Sequence, residues 1–466
     1  QADRLLLLIA LVLAFGVRFN NLGHAALTDA EARWALDALI VSQGDAQERS
    51  TSLGPQPAYI FLTAALFSIF GSSNFLARFM PAVAGGLLVL LPYLLGSSQY
   101  LRTIFGQRRI KIIILALAFA IALDPALVTI SREAGGPMLG LSFSMLAVGL
   151  WLTRKPVLAG ISAGIALLSG PSVIPGLIGL SAAWFLVRLI FPEGRADPAG
   201  DTGEGNPDNE TYQGEAFDEN LRSGLRPFLI SLVSAILVIA TLFLLYPRGI
   251  GAWFNGIPEY LSGWFIPARI PASRIPIALL VYELMAVIFS LVLVIKYFTS
   301  SEQRTPGKTR LFLFLALWIV LGLSLLMLYP GRLVSDLVWL VLPLWILAAI
   351  GITFLIPGER VKSVAVSQAL FILLLSGLFW YTLAATTRSQ YGISQYISHF
   401  AIMGGILALG GLTTVLVAMG WGWKVSSSGL FLGAASALLL YSVSVMWGAS
   451  NLRQNQASEL LSGTPS

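Results

Sequence analysis

Asp29 and Glu31 stand two residues apart at the head of Leu27-Thr28-Asp29-Ala30-Glu31-Ala32-Arg33-Trp34-Ala35-Leu36-Asp37-Ala38-Leu39, whose apolar spacing predicts an amphipathic helix. A carboxylate held at a membrane surface can take the proton of an acceptor hydroxyl as a general base. The same residues also read as a helix start. Thr28 and Glu31 form a capping box, with Glu31 reaching back to the Thr28 amide, and Asp29 at the first helical position suits the helix dipole. At 100° per residue the two acids lie about 200° apart, so they cannot both face one site unless the first turn is loose.

Three arginines at helix ends make a second group: Arg78 in Asn74-Phe75-Leu76-Ala77-Arg78, Arg132 in Ser131-Arg132-Glu133, and Arg332 in Tyr329-Pro330-Gly331-Arg332. A planar guanidinium fork suits a phosphate, and the three can converge on one anionic group. The competing reading is that each snorkels to lipid headgroups. Asp124, near the end of its helix, is a natural partner for one of them. Glu283 lies inside the apolar run Leu279–Leu284, and a membrane-buried ionisable group is a functional candidate by default. Asp124 and Glu283 stand second in rank. Gly160-x-x-x-Gly164, Gly404-Gly405 and Gly410-Gly411 read as close helix packing.

The elements that must position these residues are membrane helices. Of the 466 residues, 56% are hydrophobic and 11% charged, and the mean hydropathy is +0.80. Soluble domains carry about 25% charged residues, so the chain is an all-α polytopic membrane protein. Spans are expected near 5–19, 75–96, 110–129, 138–152, 156–170, 173–190, 227–246, 276–297, 310–329, 337–355, 364–386, 399–419 and 428–447, thirteen in all. The first is kept as an anchor, since no small-residue cleavage site follows it. With the N-terminus cytoplasmic, every lysine falls inside, as do 18 of the 29 Lys and Arg residues. The net charge of +6 is therefore a positive-inside signal, and no nucleic-acid partner is expected. The C-terminus then lies outside. Ala58–Phe70 spans only about 20 Å as a helix and reads as re-entrant or interfacial.

The chain divides into a transmembrane module over 1–190 with an outer loop 20–57, an acidic inner linker 191–226, further transmembrane helices over 227–447, and a polar tail 448–466. The linker holds nine of the 23 acidic residues amid Gly, Pro, Asn and Asp, a composition that favours disorder. Residues 247–275, rich in Trp253, Phe254, Tyr260, Trp264 and Phe265, read as an interfacial lid. There is no cysteine, which excludes disulfides and thiolate chemistry, and two histidines, His24 and His399, leave little for a histidine-built metal centre. No Walker-type phosphate loop is present, and no repeated broken helices support an ion-coupled transporter.

A first helix ending in Arg18, an acidic outer loop, Pro57-Ala58-Tyr59, Phe70-Gly71-Ser72 and Arg78-Phe79-Met80-Pro81-Ala82 together resemble the GT-C integral membrane glycosyltransferases. The nearest branch is the protein O-mannosyltransferase and aminoarabinose-transferase group, and the likeness is fullest over the first 190 residues. The resemblance implies transfer of a sugar from a polyprenyl-phosphate donor to a hydroxyl on the non-cytoplasmic face of a plasma membrane, with inversion. It implies Asp29 or Glu31 as base, and Arg78, Arg132 and Arg332 around the donor phosphate. The partners it implies are membrane lipids and polyprenyl phosphate, with partner subunits in some settings. No cofactor is called for beyond the lipid-linked sugar, and one or two scattered carboxylates make a poor divalent-metal site. The family's adjacent Asp-Glu pair is replaced here by Glu31 with Asp29 one place early. The alternative is therefore a catalytically silent GT-C scaffold that serves the assembly of a membrane complex.

Overall fold

The computed structural model describes residues 2–44, 53–191, 208–246, 249–266, 270–301, 304–356, 362–388, 393–454, 456 and 459–461, with the backbone alone over 208–223. All regular elements among them are helices. The chain starts with α1 (Ala2–Phe19), α2 (Asp29–Ser42), α3 (Pro57–Phe70), α4 (Asn74–Leu87), α5 (Leu90–Ser97), α6 (Gln99–Leu123), α7 (Pro125–Ser131), α8 (Pro137–Leu152), α9 (Pro156–Leu167) and α10 (Val173–Ile190). Next come α11 (Asp208–Ala240), α12 (Gly249–Phe254), α13 (Gly256–Ser262), α14 (Arg274–Tyr282), α15 (Leu284–Thr299) and α16 (Pro306–Leu328). A 3₁₀ turn (Val334–Leu337) leads into α17 (Val338–Ile352), followed by α18 (Ser363–Arg388), α19 (Ile393–Trp421) and α20 (Trp423–Trp447).

Proline starts many of these helices. Pro57, Pro125, Pro137, Pro156 and Pro306 occupy the first turn, where the missing N–H breaks no hydrogen bond. Asp124 caps α7 by accepting the Leu127 amide at 2.6 Å, and Ser73 caps α4 through the Leu76 amide at 3.2 Å. The centre of the bundle is α17, apolar all round and buried on all sides, as a helix without a solvent face must be.

Among the described residues seven helices are long and apolar enough to cross a membrane, or nine if each of two bent pairs counts as one span. The bends lie between α6 and α7 (49°) and between α14 and α15 (84°). The chain is thus a multi-pass membrane protein, but thirteen crossings are not confirmed. Helices α8 and α9, each expected to span, have 16 and 12 residues. The stretch read as a linker becomes helical at Asp208, and 192–207 lies outside the described residues.

Small residues let α9 and α11 touch. A Cβ on Gly160 would meet the Phe228 carbonyl oxygen at 2.3 Å, and one on Gly164 would meet the Leu232 carbonyl oxygen at 3.1 Å. The α19 glycines do not repeat this. A Cβ at Gly404, Gly405 or Gly411 would meet nothing within 4 Å, which corrects the packing expected there. Asn451, beyond α20, reaches Asn20, just past α1, and Arg132. The ends of α1, α7 and α20 therefore share one face of the bundle, and α2 belongs to that same face through the contacts that follow.

Candidate functional site

Helix α2 is anchored by one carboxylate. The Thr28 hydroxyl accepts the Glu31 amide at 3.3 Å and Glu31 accepts the Thr28 amide at 2.9 Å, the expected capping box. Glu31 also takes Arg78 Nε at 2.7 Å, Arg78 Nη2 at 2.8 Å and the Ala134 amide at 2.9 Å. A carboxylate offers about four lone-pair directions, and all are used. Arg78 is as fully engaged. Its remaining N–H groups reach the carbonyls of Leu22, Ala25 and Ala26, and both side chains are buried. Glu31 and Arg78 thus pin α2 to α4 and to the loop after α7.

The other proposed phosphate ligands do not gather around them. Arg132 is buried and donates to the carbonyls of Val17, Arg18 and Asn20 and to Asn451 Oδ1, gluing the ends of α1, α7 and α20. Burial, then the Arg78 charge, pull it down to about 10, so it stays protonated at neutral pH. Arg332 is half-buried and spans from the end of α16 to Ile270, donating to the carbonyls of Leu326, Met327 and Ile270. Asp124 does not pair with any of these three arginines. Its Oδ2 accepts the Trp345 indole N–H at 2.6 Å, and Glu283 Oε2 accepts the same N–H at 3.1 Å. The two second-rank acids thus meet each other at the two helix bends, deep in the bundle. Bending frees the backbone of each helix, and the carboxylates sit where that backbone is irregular.

Asp29 is different. As the first residue of α2 it is exposed, and no side-chain hydrogen bond engages it among the described contacts. One turn on, Arg33 shares its face, as i,i+4 spacing dictates. Arg33 lies exposed over the Trp34 ring, 5.2 Å from its centroid, and within electrostatic reach of Asp37 and Glu259. Asp37 accepts the Gly54 amide at 3.0 Å, and burial pushes its carboxyl upward. Gln56 Oε1 takes the Gly136 amide at 2.8 Å, tying this loop to the segment after α7. Two glycines make that approach possible. A Cβ on Gly136 would sit 1.6 Å from the Ser169 carbonyl oxygen, and Gly170, at φ +109°, leaves room for the Gln56 side chain.

Across the face, α13 brings Glu259 toward Arg33 and Tyr260 onto Tyr329, the rings stacked at 4.8 Å. The aromatic stretch read as a lid is two short helices, α12 with Trp253 donating to the Leu167 carbonyl and α13 reaching from Arg33 to Tyr329. Among the described residues no three His, Asp or Glu side chains gather as a metal-ligand set.

No protein-family model matches the chain, and no curated protein does. Among solved structures it is similar to ArnT from Cupriavidus metallidurans bound to undecaprenyl phosphate, at 14% identity and a TM-score of 0.55, over 96% of this chain and 77% of that one. The chain has the GT-C fold. The apo state of the same ArnT gives 16% identity and a TM-score of 0.50, over 97% and 78%. At such identities it is the fold that is shared. In the GT-C fold of this chain, the exposed charged residues of α2 are Asp29 and Arg33, with Glu133 half-buried nearby.

Sequence reading passed over Arg33 and Glu133. The i,i+4 spacing from Asp29 signals Arg33, whereas nothing in the sequence marks Glu133. Burial, then the Glu31 charge, push the Glu133 carboxyl up to about 8 against the opposing pull of Arg78. The unfolded chain ionises Glu133 near 4.3, so between about pH 4.3 and 8 it releases a proton that the folded chain keeps. Stability is then lost as pH rises through that window. We expect the melting temperature of the wild type to fall relative to Glu133→Gln between pH 5 and 8, followed by thermal unfolding in detergent. Parallel pH profiles would contradict this.

Proposed function

We propose that this chain transfers a sugar from a polyprenyl-phosphate-linked donor to a hydroxyl acceptor on the non-cytoplasmic membrane face, with inversion. The observation that carries the reading is an exposed carboxylate and an exposed guanidinium one turn apart on α2, on a helix pinned by Glu31–Arg78, in a fold shared with a protein whose structure holds undecaprenyl phosphate. Asp29 is the base. As the acceptor oxygen attacks the anomeric carbon, its proton passes to Asp29, and the bond from that carbon to the donor phosphate oxygen breaks. The electron pair leaves on the phosphate, and in-line attack inverts the carbon. Charge grows on the phosphate as the bond breaks, so a nearby guanidinium stabilises the transition state. Arg33, with the unused N–H groups of Arg332, supplies it. Glu31 and Arg78 hold the frame with their polar atoms engaged, and Arg132 holds it through its terminal N–H groups.

Sidedness follows from charge. The lysines belong to the opposite end of the helices from Asp29, as Lys111, paired with Asp3 at 3.0 Å, illustrates. By the positive-inside rule that end is cytoplasmic, and a plasma membrane is the proposed location. The silent-scaffold alternative draws on one observation, the commitment of Glu31 to Arg78. The readings part on donor handling. Under the transferase reading, Arg33→Gln lowers kcat and kcat/KM for a polyprenyl-phosphate sugar about tenfold, a loss of about 1.4 kcal/mol of transition-state stabilisation. Native mass spectrometry with added donor supplies the companion test: a bound donor is expected. A protein partner at stoichiometric ratio, with no donor bound and no dependence on Arg33, would replace this reading with the scaffold.

A further inference from the structure

At the end of the bundle opposite Asp29 lies a cavity of about 490 Å³, enclosed by α5, α6, α8, α10, α16 and α17. Its walls are apolar, with Leu101, Ile114, Leu180 and Ile346 typical of them, and the polar side chains on it are Ser98 and Arg310. The cavity opens sideways between α8 and α10, where Val148, Leu152 and Trp184 on its rim are 43%, 45% and 54% exposed. Arg310 stands at its charged end, its guanidinium 5.5 Å from the Phe191 ring centroid, and its buried Nε has no hydrogen-bond partner among the described residues. Arg102 donates to the carbonyl of Gly96, which lines the wall.

We infer that this cavity is a binding site for an anionic phospholipid, which inserts one acyl chain between α8 and α10 and sets its phosphate against Arg310. The inference goes beyond the transferase reading and does not depend on it. Three observations carry it. A hole with these walls offers water almost no partner, while left empty its lining forfeits dispersion contacts on every side. Its size suits one chain. An apolar cavity of about 150 Å³ takes the six carbons of benzene, so about 490 Å³ takes roughly 20 carbons, an acyl chain rather than a long polyprenyl tail. The unpartnered Arg310 Nε at one end then meets the negative group that such a chain brings with it.

The test is native mass spectrometry of the full chain after delipidation. It is offered, in turn, phosphatidylglycerol, phosphatidylcholine of the same chains, and a polyprenyl phosphate. Phosphatidylglycerol should be retained at least tenfold more than phosphatidylcholine. Arg310→Gln should remove that preference, and Val148→Trp, at the rim, should reduce retention of both phospholipids. Arg310→Gln lies on a half-buried helix end, so it keeps the test open should the tryptophan variant fail to fold. Equal retention of the two phospholipids, or a preference that survives Arg310→Gln, would overturn the proposal. So would a polyprenyl phosphate that displaces phosphatidylglycerol and loses its own binding in Arg310→Gln.

Discussion

Asp29→Asn is expected to lower turnover by about 10²- to 10⁴-fold while leaving the protein folded and its donor bound. The reasoning separates chemistry from architecture. Asp29 is exposed and makes no side-chain hydrogen bond among the described contacts, so the isosteric amide disturbs nothing it touches. The structural loss is confined to the helix-dipole contribution of a first-turn carboxylate, about 0.3–1 kcal/mol. The chemical loss is large because an amide cannot accept the acceptor hydroxyl's proton as the anomeric bond breaks. Steady-state transfer and thermal unfolding on the same preparation check both halves. Undiminished turnover would remove Asp29 from the mechanism, and a collapse in stability would make it a helix-start residue.

The second large effect falls on stability. Arg78→Met is expected to cost about 3–5 kcal/mol, because it strands the Glu31 carboxylate and three backbone carbonyls in a buried setting. Glu31→Ala should cost a similar amount by leaving the Arg78 charge unmatched. The double variant should lose clearly less than the sum of the two, since each single change leaves a lone buried charge and the double change leaves none. Thermal or denaturant unfolding of the four proteins in one detergent gives the cycle. Additive losses would show that the two side chains act independently, against their bidentate geometry. This comparison also distinguishes the two acids of α2. Glu31 variants should fail through folding, and Asp29 variants through turnover.

Much of this arrangement was legible before any coordinates. The capping box at Thr28 and Glu31 is local chemistry three residues apart, and it is present as read. The opposition of Asp29 and Glu31 follows from helical periodicity alone, with one side chain exposed and the other buried. The resemblance carried by the Arg18, Pro57 and Arg78 segments led to the fold that the structural comparison bears out.

What stayed hidden depends on long-range partners. Arg78 meets Glu31 across 47 residues, and Arg132 finds the carbonyls of Val17, Arg18 and Asn20 more than 110 residues away. A sequence marks an arginine at a helix end as a candidate for phosphate, but it does not say that backbone carbonyls have already claimed its donors. The same limit applies to Asp124 and Glu283, joined through Trp345 only once two bent helices pack on α17. Span counting met a different obstacle. Apolar composition marks α8 and α9 as membrane-compatible, but their lengths of 16 and 12 residues are set by where Pro137 and Pro156 start them and by the turns that end them.

The most direct test follows the sugar itself. The purified protein is incubated with a polyprenyl-phosphate donor labelled in the sugar and with a hydroxyl acceptor, and the fate of the label is followed over time. The account predicts that label moves to the acceptor with inverted anomeric configuration and an equal amount of polyprenyl phosphate released. It also predicts that Asp29→Asn leaves the donor bound and intact. Donor that stays intact with the wild-type protein across a range of sugars and hydroxyl acceptors would contradict the account.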